Sequence, residues 1–140
     1  MMAMVTAQHV FALPLDALWA ILGDFGQTGK WSGRPPEACV QEGEGIGALR
    51  TLHIADGRTV VDRLEAQTAT SYSYSIVTSP LPYASYRATM AVEPVDEDNT
   101  RFIWTGEFDP AGMTEEAAIA FTKNLYAMGI GLMRTTIEGA

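Results

Sequence analysis

From Gly47 to Pro110 the chain keeps alternating between apolar and polar positions. The clearest stretch is Ser71-Tyr72-Ser73-Tyr74-Ser75-Ile76, where odd positions are serine and even ones are aromatic or apolar. Successive strand side chains point to opposite faces, so this pattern predicts a strand wet on one side and covered on the other. Tyr86, Ala88, Met90 and Val92 repeat it against Ser85, Arg87, Thr89 and Glu93. Phe102, Trp104, Gly106 and Phe108 repeat it against Arg101, Thr105 and Glu107. Strands are expected over 48–54, 59–65, 70–77, 86–93 and 101–108. Asp56-Gly57, Ser79-Pro80-Leu81-Pro82 and Asp96-Glu97-Asp98-Asn99 separate most of them, all with turn composition.

The flanking segments change period. Residues 5–11 read as a first strand with imperfect alternation. Pro14 then suits the first turn of a helix, and Leu15, Leu18, Trp19 and Leu22 follow at the spacing of one buried helical stripe. Asp16 in that first turn complements the helix dipole. Gly23 can end the helix, and 25–31 reads as a second short helix or turn. Pro35-Pro36 marks an extended link, 37–41 a short strand, and Gly43, Gly45 and Gly47 a turn. At the far end, Thr114 can cap a long helix that carries Glu115 and Glu116 in its first turn. Its expected inner stripe is Ala117, Phe121, Leu125, Met128, Leu132 and Thr136.

The order is strand, two short helices, about six strands, long helix. Strands that follow one another without helical crossovers favour antiparallel pairing in an α+β domain. One helix cannot fill the concave side of a large twisted sheet, so a pocket walled by aromatic side chains is expected. At 140 residues, 47% of them hydrophobic, the chain suits one domain over 1–140 with a single core.

Charge and cysteine usage narrow the partners. Nine Lys and Arg against 17 Asp and Glu leave a net charge of −8 and no visible basic patch, which disfavours nucleic acid and anionic lipid. No apolar run approaches the roughly 20 residues of a membrane span, so stable membrane insertion is not expected. Residues 1–11 lack the charged start and continuous apolar stretch of a signal peptide. Cys39 is the only cysteine, which excludes an internal disulfide and a cysteine zinc cluster. A cytoplasmic location is the default expectation.

Several local motifs, in this order, resemble the START-related superfamily called SRPBCC, and within it the polyketide cyclase/dehydrase-like branch. They are Leu18-Trp19-Ala20-Ile21-Leu22-Gly23-Asp24-Phe25, Gly45-Ile46-Gly47-Ala48-Leu49-Arg50, Asp62-Arg63-Leu64-Glu65, Tyr72-Ser73-Tyr74 and Tyr86-Arg87-Ala88, followed by Trp104 and Phe108. Their order and spacing span almost the entire chain. Plant abscisic-acid receptors and pathogenesis-related allergens look like more distant relatives. The resemblance implies a helix-grip fold, a curved sheet of about seven strands wrapped around the C-terminal helix and a cavity. It also implies binding of a hydrophobic or amphipathic small molecule (a lipid, sterol or polyketide-like compound), or cyclase chemistry in the same space. Fold alone does not choose between carrier and enzyme.

Asp62 is the leading polar candidate. In 59–65, Val60, Asp62 and Leu64 share one face, and the other face is more polar, so Asp62 is expected to look inward. A carboxylate against an apolar cavity must find a partner or bind a proton, which suits a general acid or a ligand anchor. The plain alternative is a solvated or structurally paired Asp62 near a strand end. Its neighbour depends on the hairpin at Asp56-Gly57. A two-residue turn places Leu49, Thr51 and His53 on its face, and a three-residue turn with a bulge places Arg50, Leu52 and Ile54 there. The resemblance implies an arginine at the Arg50 position paired with this acid, and so favours the bulge. The ordinary reading of His53 is a surface side chain.

Tyr72, Tyr74 and Tyr86 offer hydroxyls on apolar bodies, to a ligand or to the core. Trp104, Phe102, Phe108 and Phe121 read as core or cavity wall. The expected ligand contacts are thus Arg50, Asp62, Tyr72, Tyr74, Tyr86, Trp104, Phe108, Phe121 and Leu125. His9, His53 and Cys39 fit no familiar metal-ligand spacing, and neither a phosphate loop nor a nucleophile elbow is present. No metal or cofactor is expected, and no residue is assigned a catalytic role. Gly129 and Gly131 interrupt the last helix, either to let it approach the sheet or as small residues at a crowded contact. Three readings follow: a carrier of an apolar small molecule, a cyclase, dehydratase or isomerase, and an interaction module presenting the 79–86 loop.

Overall fold

The alternating segments pair into one seven-stranded antiparallel sheet in the computed structural model, which describes residues 2–139. The strands are β1 (Ala3–Phe11), β2 (Cys39–Glu42), β3 (Leu49–His53), β4 (Thr59–Gln67), β5 (Ser71–Thr78), β6 (Tyr83–Pro94) and β7 (Thr100–Pro110). Their spatial order is β1-β7-β6-β5-β4-β3-β2, so β2 to β7 lie side by side in chain order and only β1 jumps across to join β7. Two short helices span the jump, α1 (Leu15–Leu22) and α2 (Gly29–Ser32), and a long helix α3 (Glu115–Glu138) closes the chain. This is the helix-grip arrangement the resemblance implied, with β2 shortened because 36–38 forms a 3-10 turn.

Period-two alternation chose the faces correctly. Val60, Asp62, Leu64, Tyr72, Tyr74, Tyr86, Met90, Val92, Phe102, Trp104 and Phe108 are all buried on the concave side. The intervening polar positions form the wet face, where Ser73 bonds Thr89 at 2.7 Å and Ser75 donates to Glu65 at 2.6 Å. Irregular register at Val61/Asp62 and Leu64/Ala66 in the β4–β5 pair interrupts the ladder, and such irregularities bend a sheet.

The long helix departs from the expected stripe by one residue. Ala118, Thr122, Tyr126, Gly129, Ile130 and Met133 face the core, whereas Ala117, Met128, Leu132 and Thr136 are exposed and Phe121 and Leu125 half-buried. One residue is about 100° of rotation at 3.6 residues per turn. The small Ala118, Thr122 and Gly129 let the backbone come close to the sheet, a gain in packing that apolar periodicity does not register. Gly129 is a contact residue, since a Cβ there would lie 2.6 Å from the Trp104 ring. Gly131 has nothing within 4 Å of such an atom and serves no contact of this kind. Thr114 caps α3 as expected, its hydroxyl accepting from the Ala117 amide. No helix among the described residues is long and apolar enough to cross a membrane.

Candidate functional site

The hairpin between β3 and β4 sets the polar heart of the molecule. Asp56 and Gly57 both adopt positive φ, +63° and +73°, and the Ile54 amide donates to the Arg58 carbonyl at 2.9 Å. That three-residue turn places Arg50 opposite Asp62 and His53 opposite Thr59. His53 is exposed at the rim, so the alternative of a histidine beside Asp62 does not occur.

Arg50 and Asp62 are 2% and 1% exposed, and the Arg50 Nε donates to Asp62 Oδ2 at 2.9 Å. Arg50 Nη1 also donates to the Phe25 carbonyl at 3.0 Å and to the Tyr72 hydroxyl at 3.2 Å. The guanidinium lies 4.4 Å from the Phe25 ring centre and 4.6 Å from that of Tyr74, within cation–π range. Burial opposes the charge of Arg50, but Tyr72, Asp62 and Tyr74 together push its pKa further up. Burial also raises the pKa of Asp62 above the usual carboxylate range, against the lowering effect of Arg50. Arg50 thus has three hydrogen-bond acceptors, whereas the Asp62 carboxylate has a single donor among the described residues. The Asp62 Oδ1 is buried with no hydrogen-bond partner among the described residues.

A second polar chain crosses from sheet to helix. Trp104 Nε1 donates to the Tyr74 hydroxyl at 3.2 Å, and the Tyr86 and Tyr126 hydroxyls share a hydrogen bond. Trp104 stacks on Tyr126 with ring centres 4.3 Å apart and planes 13° off parallel, joining the two pairs. Gly106 of β7 makes room for the Tyr126 hydroxyl, since a Cβ at that position would overlap it. Burial pushes Tyr74, Tyr86 and Tyr126 up, so none of these phenols ionises near neutral pH. The Tyr83 hydroxyl bonds Thr122 Oγ1 at 2.7 Å, and Thr122 in turn donates to the Ala118 carbonyl.

Between these groups and α3 lies a cavity of about 360 Å³. Its walls are mainly apolar: Trp31, Leu52, Val60, Ile76, Leu81, Met90, Trp104, Leu125, Met128 and Leu132. Of the expected ligand contacts, Arg50, Asp62, Tyr74, Tyr86, Trp104 and Leu125 border it. Tyr72, Phe108 and Phe121 do not. Tyr72 is turned against Phe25 and bonds Met90 Sδ, Phe108 is fully buried against Tyr83 and Tyr86, and Phe121 sits behind Tyr83. The three back the wall instead of forming it.

Trp31, Tyr83 and Cys39 also border the cavity and were not among the expected contacts. Trp31 lies in α2, edge-on to Trp104 at 6.3 Å, and its Nε1 is buried without a partner among the described residues. Its signal in sequence was faint: one large aromatic amid Gly29, Ser32 and Gly33. A second hollow of about 370 Å³, more open to solvent, lies between Trp19, Asp24, Lys30 and Gln41, where Lys30 and Asp24 pair at 3.0 Å. Among the described residues, no three His, Cys, Asp or Glu are grouped to hold a metal ion.

A family model described as polyketide cyclase / dehydrase and lipid transport matches residues 2–138. Among solved structures, the protein XoxI from Bacillus cereus is 25% identical, with a TM-score of 0.84 over 96% of this chain and 95% of that one. A START superfamily protein from Mycobacterium smegmatis superposes with a TM-score of 0.80 at 9% identity, covering 97% of each chain. The Zhui aromatase/cyclase from Streptomyces sp. R1128 gives 0.75 at 18% identity, over 99% of this chain and 93% of that one. The last two likenesses are of fold. No curated protein matches this sequence.

Proposed function

The chain belongs to the polyketide cyclase / dehydrase and lipid transport family of the START-related superfamily, and we propose that it binds and carries a hydrophobic or amphipathic small molecule in its internal cavity. The observation that carries this reading is the cavity itself, about 360 Å³ with mainly apolar walls, within the range of about 300–1,000 Å³ typical of small-molecule sites. Most of its ionisable groups are already engaged within the protein, which suits a preformed binding wall better than a set of proton-transfer groups. Arg50 is held by Asp62, Phe25 and Tyr72, and the wall tyrosines Tyr74 and Tyr86 are locked in bonds within the protein. Sterols, lipids and polyketide-like compounds are the chemical classes that suit such walls, and a cytoplasmic location belongs to the same proposal.

One observation favours a second reading, acid–base catalysis on a polyketide-like ketone. Asp62 borders the cavity and has a carboxylate oxygen without a hydrogen-bond partner among the described residues, and its pKa is raised by burial. Native mass spectrometry of the purified protein separates the two: an intact small molecule that co-purifies supports carriage, and conversion of a supplied ketone supports catalysis.

Trp31 and Trp104 both border the cavity, so an apolar dye such as Nile red is expected to quench tryptophan fluorescence on binding. Leu125→Trp extends a half-buried wall residue into that space without removing a hydrogen bond. It is expected to weaken dye binding at least about tenfold, a loss of roughly 1.4 kcal/mol, with thermal stability nearly unchanged. Dye affinity equal to the wild type would place the dye elsewhere.

A further inference from the structure

Among the described residues, only two buried side-chain nitrogen or oxygen atoms lack a hydrogen-bond partner, Trp31 Nε1 and Asp62 Oδ1. Both residues border the same cavity. The other polar walls are satisfied within the protein: Tyr74 by Trp104, Tyr86 by Tyr126, Tyr83 by Thr122. Native proteins leave few buried polar atoms unpaired, because the lost water bonds cost free energy that nothing repays. Two such atoms, both on residues that line one cavity, with none elsewhere among the described residues, single out where an occupant of that cavity would find its bonding partners.

Their chemistry is complementary. The indole N–H can only donate, and an ionised carboxylate oxygen can only accept. The occupant must therefore bring an acceptor to Trp31 and a donor to Asp62. Its charge is constrained as well. Asp62 already balances Arg50, so the lining pair carries no net charge to offset a buried ion. A carboxylate on the ligand would face the unpaired oxygen of Asp62, and an ammonium would face Arg50. Resting on the reading of this cavity as a binding site, we propose that it selects a neutral apolar molecule with a hydroxyl or N–H donor set against Asp62 Oδ1 and an acceptor atom reached by Trp31 Nε1. Hydroxylated aromatic and alicyclic compounds meet that description, and fatty acids of similar size do not.

Displacement of Nile red at pH 7.5 by four probes with one ring system tests the assignment: naphthalene, 2-methoxynaphthalene, 2-naphthol and 2-naphthoate. The methoxy compound adds an acceptor, the naphthol adds a donor as well, and the naphthoate adds charge. A hydrogen bond to a charged acceptor is worth enough that 2-naphthol is expected to bind at least about tenfold tighter than 2-methoxynaphthalene. 2-Naphthoate is expected to bind more weakly than 2-naphthol. Trp31→Phe keeps an aromatic ring against Trp104 but removes the N–H. It is expected to erase the advantage of 2-methoxynaphthalene over naphthalene, read as the ratio of the two affinities within the variant, and a ratio equal to the wild type's overturns the role of Trp31. Equal affinity for naphthalene and 2-naphthol, which is the result if water alone serves these atoms, overturns the proposal, as does a preference for the naphthoate. If neither Nile red nor any probe binds, the reading of the cavity as a binding site falls first.

Discussion

Gly106→Ala is expected to destabilise the protein by about 2–4 kcal/mol, although it adds a single methyl group to the centre of a strand. Two costs combine, overpacking of a filled interior and loss of a buried hydroxyl's partner. Gly106 lies on β7 between Val5 of β1 and Ala88 of β6, and the Tyr126 hydroxyl occupies the space its missing side chain leaves. Tyr126 cannot withdraw freely, because its ring stacks on Trp104 and its hydroxyl bonds Tyr86. Urea melts of Gly106→Ala, of Tyr126→Phe and of the double variant isolate the cause. With the hydroxyl gone, alanine is expected to cost well under half as much, the coupling that residues in contact show in such cycles. A Gly106→Ala protein as stable as the wild type would mean that α3 does not sit against β7 in this way.

The second large effect falls on Arg50. Arg50→Met is expected to cost about 3–5 kcal/mol at pH 7.5, the penalty for leaving one member of a buried pair without the other. Among the described residues the Asp62 carboxylate has no other hydrogen-bond partner to fall back on. The sign of the pH dependence follows from its raised pKa. Asp62 binds its proton more tightly in the native state than in the unfolded chain, where a carboxyl titrates near about 3.9. Its contribution to stability is fully present below that value and is lost as pH rises through the higher native value. Without Arg50 the native value rises further, so the variant is expected to recover much of its stability between pH 7.5 and pH 5. The reverse substitution is expected to be milder. In Asp62→Asn the guanidinium keeps the Phe25 carbonyl, the Tyr72 hydroxyl and its aromatic neighbours. Equal costs for the two variants, or an Arg50→Met cost that does not change with pH, would contradict this unequal pair.

How far sequence carried the structure depends on what kind of signal each element left. Strand faces were legible because alternation is set by backbone geometry, and β5, β6 and β7 turned the expected side inward without exception. Asp62 was found for the same reason, as a charge on an otherwise apolar face. Its pairing with Arg50 was not decided by alternation, since one extra residue in the Asp56-Gly57 turn exchanges the whole partner set. The face of α3 was misjudged because hydrophobicity and burial part company there. Thr122 and Gly129 are buried for closeness, and Met128 and Leu132 are exposed at the cavity mouth. Tyr72, Phe108 and Phe121 shared a face or a stripe with true wall residues, but depth behind the wall has no period in sequence. Trp31 was passed over because α2 is four residues long and too short to show any repeat.

The place of β1 in the sheet has a consequence for how the chain reaches this structure. β2 to β7 can zip together from neighbouring hairpins, each closing a short loop as it appears. β1 is made before the other six strands yet pairs with β7, Ala3 opposite Phe108, across roughly 100 residues. During synthesis it must therefore wait with its ladder unfilled until β7 has emerged. His9 meeting Glu138 at 2.9 Å ties the same strand to the end of α3, so the element made after all the strands secures β1. Non-local closure of this kind slows folding and prolongs the time in which sticky strand edges are open to other chains. On this topology, a ribosome-bound chain in which β7 and α3 are not yet made carries β1 without its sheet partner, and it is there that a chaperone has most to protect.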